Sequence, residues 1–156
     1  MSKLIYNKIE PFKVINSIMT LYEQGKFDSI LKRANQLIEA YPNTSELYQI
    51  LGNTSLKTGN TRVAIKYFRK VIKLCPSIPY AYTNLGVALL DFEAYEELKT
   101  AFEKAIELNP TYFEPYNSIS FILRTKGDFK GAIKILIKAT NKDPKNYVAY
   151  NDIAIL

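Results

Sequence analysis

The 156-residue chain contains no histidine, no tryptophan and a single cysteine. Each absence removes a class of chemistry. Without histidine there is no Ser-His-Asp or Cys-His route to an activated nucleophile, and no imidazole for a zinc site. One cysteine cannot form an internal disulfide or a thiolate metal cluster, and it fits a reducing cytoplasm. That residue, Cys75, stands beside Pro76 and reads as incidental rather than reactive. No apolar run approaches the ~18 residues of a membrane helix. The opening residues 1–8 lack the apolar stretch and cleavage site of a secretory leader. Glycine is scarce too, and Gly127 and Gly131 lack the lysine and context of a phosphate loop. The carboxylates lie on surfaces of the pattern described next, not as a facing buried pair. The chain therefore reads as non-enzymatic, with no cofactor, no metal and no membrane segment.

What the chain does have is a period. Proline recurs at 42, 76, 110 and 144, a constant spacing of 34 residues. Other columns share that spacing. Val14, Tyr48, Tyr82, Tyr116 and Tyr150 form one. Ile18, Gly52, Gly86, Ser120 and Ala154 form another. Ile30, Ala64, Leu98 and Ala132 lead, four residues on, to Ala34, Phe68, Phe102 and Leu136. This pattern resembles the tetratricopeptide repeat, W-x2-L-G-x2-Y…A-x3-F…P, with tyrosine in the tryptophan place. The resemblance covers residues 11–156. It implies an all-α, right-handed helical solenoid. After a lead-in over 1–10, a single domain carries repeats 11–44, 45–78, 79–112 and 113–146, and the first helix of a fifth repeat over 147–156.

The residue chemistry agrees with nine helices and no strand. Tyr82, Leu85, Gly86 and Leu89 have the i, i+3, i+4, i+7 spacing of one helical face. Gly52 and Gly86 fall where the two helices of a repeat cross. Gly25, Gly59 and Gly127 fall where a helix end needs a left-handed residue. Repeat three has Glu93-Ala94 there instead. Asn60 and Asp128 follow as expected N-caps. Pro11, Pro79 and Pro115 are expected in the first turn of a helix. Only Gly131 is left without a structural task. The last residues, Ile153-Ala154-Ile155-Leu156, are apolar with no following helix to cover them. The chain reads as a piece of a longer protein, or as one whose last helix is itself the cap. Self-association through residues 147–156 is expected.

The tetratricopeptide resemblance also implies a binding groove lined by the first helix of each repeat. The residues it assigns to a peptide-binding groove are Ile15, Met19, Gln49, Asn53, Tyr80, Asn84, Val87, Asn117, Phe121 and Arg124. Amides suit the backbone of an extended peptide, and apolar residues suit its side chains. Thr83 falls on the same stripe. Co-chaperones of this family grip acidic chaperone tails through a clamp of lysine, arginine and asparagine. The corresponding positions here supply Asn53 and Asn84 but no cation, and Glu114 opposes the ligand. The heat-shock carboxylate clamp is therefore rejected.

The segment Leu21-Tyr22-Glu23-Gln24-Gly25-Lys26-Phe27, with Tyr41-Pro42-Asn43 and Tyr48-Gln49-Ile50-Leu51-Gly52, is similar to openings of bacterial tetratricopeptide arrays. In some of these the array recruits substrate for a glycosyltransferase or sulfotransferase domain that follows. The formal net charge of +6 raises a third reading, nucleic acid. The acidic band Glu96, Glu97, Glu103 and Glu107 interrupts the lysines on either side, which argues against a phosphate track. The leading expectation is a cytoplasmic interaction scaffold that binds an extended peptide or helix of an unidentified protein.

Overall fold

Every second helix starts one proline period after the last. The structure, a computed structural model, describes residues 2–156, and their side chains from residue 11 onward. The helices are α1 (Ser2–Glu23), α2 (Phe27–Ala40), α3 (Ser45–Lys57), α4 (Thr61–Leu74), α5 (Pro79–Leu89), α6 (Tyr95–Leu108), α7 (Glu114–Thr125), α8 (Phe129–Lys142) and α9 (Tyr147–Ile155). A single 3₁₀ turn, Leu90–Phe92, follows α5. No strand occurs among the described residues. Helices α2, α4, α6 and α8 begin at 27, 61, 95 and 129, spaced by 34. Each ends two residues before a period proline, which has no N–H to continue the helix. Contacts group the chain into two compact units, Met1–Pro76 and Ser77–Leu156.

In the first unit, Ile18, Ile30, Ala34, Leu37, Leu47, Ile50 and Leu51 form one buried cluster. Burial of such side chains contributes about 25 cal/mol per Å² and is the main stabilising term. Helices α3 and α4 cross closely at Gly52. A Cβ there would stand 2.6 Å from the Phe68 ring, so only glycine fits. Between the helices of each pair the chain turns through Gly25 (φ 68°) and Gly59 (φ 75°). Gly59 N–H donates to Leu56 and Asn60 N–H to Ser55, at 3.1 and 2.8 Å. This double bond pattern satisfies carbonyls that the helix end would leave open. The Tyr48 hydroxyl reaches back to donate to the Pro42 carbonyl at 3.0 Å. The tyrosine and proline columns are therefore one device, tying the start of a helix to the loop before it.

The second unit repeats these contacts. Gly86 faces Phe102 with the same 2.6 Å constraint. Tyr116 donates to Pro110 at 3.0 Å, and Gly127 takes φ 79°. Burial raises the phenol pKa of Tyr116, as it does for Tyr48. Repeat three departs as its sequence suggests. Glu93 is the one non-glycine with positive φ among the described residues, at φ 52°. The helix tightens into the 3₁₀ turn just before it, and Glu93 N–H donates to Leu90 at 3.3 Å.

Three local expectations are corrected. Pro11 lies inside α1, not in its first turn, so helix continues back through what was read as the 1–10 lead-in. A proline nitrogen removes one helical bond but does not forbid the turns before it. Asn60 occupies the N-cap position of α4 without capping it. Its amide instead donates to the Thr58 hydroxyl at 3.0 Å. Gly131 does have a task. Asp128 caps α8 by accepting from Gly131 N–H at 2.8 Å, and a Cβ on residue 131 would collide with that carboxylate.

Candidate functional site

Two successive first helices, α1 and α3, pack side by side in the first unit. Their exposed stripes meet in a cleft of 220 Å³ lined by Ile15, Met19 and Tyr22 from α1 and Glu46, Gln49, Ile50 and Asn53 from α3. The spacing on α1 is four then three residues, and on α3 it is three, one and three. Both place the lining residues on one helical face. Ile50 belongs to the buried cluster and makes the floor. Met19, 39% exposed, stands at the rim. Gln49 and Asn53 are half-buried and bring amide donors and acceptors to an otherwise apolar wall. Glu46 is the only charged residue of the lining, and its carboxylate accepts from the Ser45 hydroxyl at 3.1 Å.

Four of the ten groove residues expected from sequence, Ile15, Met19, Gln49 and Asn53, thus share one cleft. The other six lie on the second unit. Tyr80, Asn84 and Val87 are on α5, and Asn117, Phe121 and Arg124 are on α7, which packs against α5. Val87 and Phe121 are 39% and 56% exposed. Tyr80 and Asn84 are half-buried, while Asn117 and Arg124 face solvent. Thr83 is removed from the surface. Its hydroxyl donates to the Pro79 carbonyl at 3.3 Å and lies against the Tyr112 phenol. Sequence reasoning did not place Ile50 in the groove, although Asn84, one period later in the same column, was placed there.

Among the described residues no group of three histidine, cysteine, aspartate or glutamate side chains is placed to hold a metal ion. No helix among them is long and apolar enough to cross a membrane.

Helix pairs of constant period, locked by glycine at the crossing and tyrosine at the loop, define a helical-repeat protein. The family model for the tetratricopeptide repeat matches residues 45–78, 79–112 and 113–146, and the chain belongs to that family. Tetratricopeptide repeat protein 6 from Homo sapiens is 30% identical over 96 residues, which is 60% of this chain. Hsp70-Hsp90 organizing protein 2 from Arabidopsis thaliana is 27% identical over 105 residues, 67% of this chain. The chain spans only 18% of the length of each of these two relatives. Among solved structures, a crystal structure of MamA superposes with a TM-score of 0.73 at 26% identity, covering 87% of this chain and 80% of that one.

Proposed function

We propose that residues 11–156 form one interaction module, a protein-binding scaffold whose cleft between α1 and α3 takes an extended segment of a partner. The observation that carries this reading is the pairing of two amides, Gln49 and Asn53, with apolar Ile15, Met19 and Ile50 in one cleft. An extended peptide has unpaired N–H and C=O groups at every residue, and an amide side chain can satisfy one of each. The apolar wall then takes an alternate side chain.

The similarity to an Hsp70-Hsp90 organizing protein does not extend to an acidic tail as ligand. The cleft lining contains no lysine or arginine, and Glu46 would repel a carboxylate. The transferase-arm reading has less support, since neither relative named above is named as a transferase. A reducing cytoplasmic setting fits a single free thiol, Cys75.

The reading is tested by panning a random-peptide display library on the full chain and measuring the enriched peptides by fluorescence anisotropy. Gln49→Ala combined with Asn53→Ala should weaken them about tenfold, the loss expected from two imperfectly replaced hydrogen bonds. The helical circular-dichroism signal should be unchanged. Equal binding to the double variant would overturn the assignment of the cleft.

A further inference from the structure

A second concavity lies on the second unit, away from the α5 and α7 groove residues. It has a volume of 370 Å³ and is built by α6, α7 and α8. Its floor is apolar: Leu98 and Ile106 from α6, Ile119, Ile122 and Leu123 from α7, and Ile135 from α8. An adjoining depression continues it along α8 to Ile137, which is 45% exposed. The rim is charged and unbalanced. Lys99, Lys126 and Lys138 surround the first part and Lys134 the second, against Glu96 and Glu103. Lys99, Lys134 and Lys138 pair with no carboxylate among the described residues. Lys126 is held over the Tyr95 ring at 3.6 Å, which fixes one ammonium at the mouth of the groove.

We propose that this groove docks an amphipathic helix of a partner protein, with an apolar stripe flanked by acidic residues. Two arguments select that occupant. First, the walls are helices whose own N–H and C=O groups are already bonded within them, and Asn141 is the one amide side chain in the lining. A segment entering here must therefore satisfy its own backbone, which a helix does and an extended peptide does not. Apolar residues at i, i+3, i+4 and i+7 of that helix meet the isoleucine and leucine floor. Second, four lysines against two glutamates make the rim complementary to carboxylates. The chain's own formal net charge of +6 disfavours a second copy as the occupant. Lys126, Lys130, Lys134, Lys138 and Lys142 recur at a four-residue step in the sequence. What periodicity alone does not show is the apolar floor beside them.

The probe is a stapled, fluorescein-labelled helical peptide of about four turns, with a leucine stripe and glutamate flanks. Its partners are the same stripe with lysine flanks, a proline-interrupted version of the acidic peptide, and dodecanoate. Anisotropy on the full chain should show the acidic helix binding at least about tenfold tighter than the lysine or proline versions. Lys134→Glu with Lys138→Glu should remove that preference, and Lys99→Glu, on a different helix, should reduce it. Gln49→Ala with Asn53→Ala should leave it unchanged, so this site and the α1–α3 cleft fail or succeed separately. Equal affinity for the acidic and basic helices would overturn the proposal. So would insensitivity to both lysine variants, or dodecanoate binding in the groove with no helix able to displace it.

Discussion

Glu93 is the residue whose replacement tests the backbone account most sharply. It takes φ 52° and ψ 24°, in the left-handed region, where the other three turns use Gly25, Gly59 and Gly127. A side chain bearing a Cβ loses roughly 1–2 kcal/mol in that conformation. Glycine removes the strain but makes the unfolded chain freer, which costs about 0.4–1 kcal/mol. The balance predicts that Glu93→Gly stabilises the protein by about 0.5–1 kcal/mol. For a chain of this length that is a rise of roughly 1–4 °C in Tm. Glu93→Ala separates strain from charge. It removes the carboxylate but keeps the Cβ, so it should stay close to the parent. Urea unfolding followed by circular dichroism measures all three proteins, and amide exchange in α5 and α6 localises the effect. A lower midpoint for the glycine variant, or equal gains for glycine and alanine, would refute the strain argument.

Other consequences follow from single contacts. Gly86→Ala forces a Cβ against the Phe102 ring 2.6 Å away and should cost about 1–3 kcal/mol, seen as a lower urea midpoint. The Ser55 hydroxyl is buried with no hydrogen-bond partner among the described residues, so Ser55→Ala should stabilise by about 1 kcal/mol in the same assay. Asp128→Ala deletes the α8 cap and should cost about 1 kcal/mol, read as faster exchange at Gly131 N–H. Burial raises the phenol pKa of Tyr48, Tyr67, Tyr112 and Tyr116 above the ordinary 10.0. The folded state then holds protons that the unfolded state releases. Stability is intact below pH 10.0 and falls as pH rises through the folded values, which tyrosinate absorbance during unfolding will report.

The repeat architecture was legible because the columns it needs are chemically narrow. A crossing that admits no Cβ demands glycine, and a helix end at positive φ favours it, so Gly52, Gly86, Gly25 and Gly59 were readable as a set. The left-handed Glu93 was readable by the same register, from the missing glycine. Pro11 misled because a proline marks a helix start only when nothing helical precedes it, and that depends on the residues upstream. Asn60 and Asp128 look alike in sequence, yet only Asp128 caps. The difference lies in the local hydrogen bonds, where the Thr58 hydroxyl competes for Asn60. The cleft residues on α1 and α3 were reached through the tetratricopeptide resemblance, which assigns one face of each first helix to the groove. The burial of Thr83 was not legible: its side chain bonds the Tyr112 phenol, a contact from the loop after α6 that no helical stripe displays.

The central claim is that a partner's extended segment lies in the cleft between α1 and α3. The most direct measurement places a photo-crosslinking amino acid at position 19, on the cleft rim, and in a separate variant at exposed position 32 on α2. Each is irradiated with a peptide selected on the parent chain, and the adducts are mapped by mass spectrometry. The account predicts adducts from position 19, suppressed by excess unlabelled peptide, and none from position 32. Adducts from position 32 with none from position 19 would contradict it.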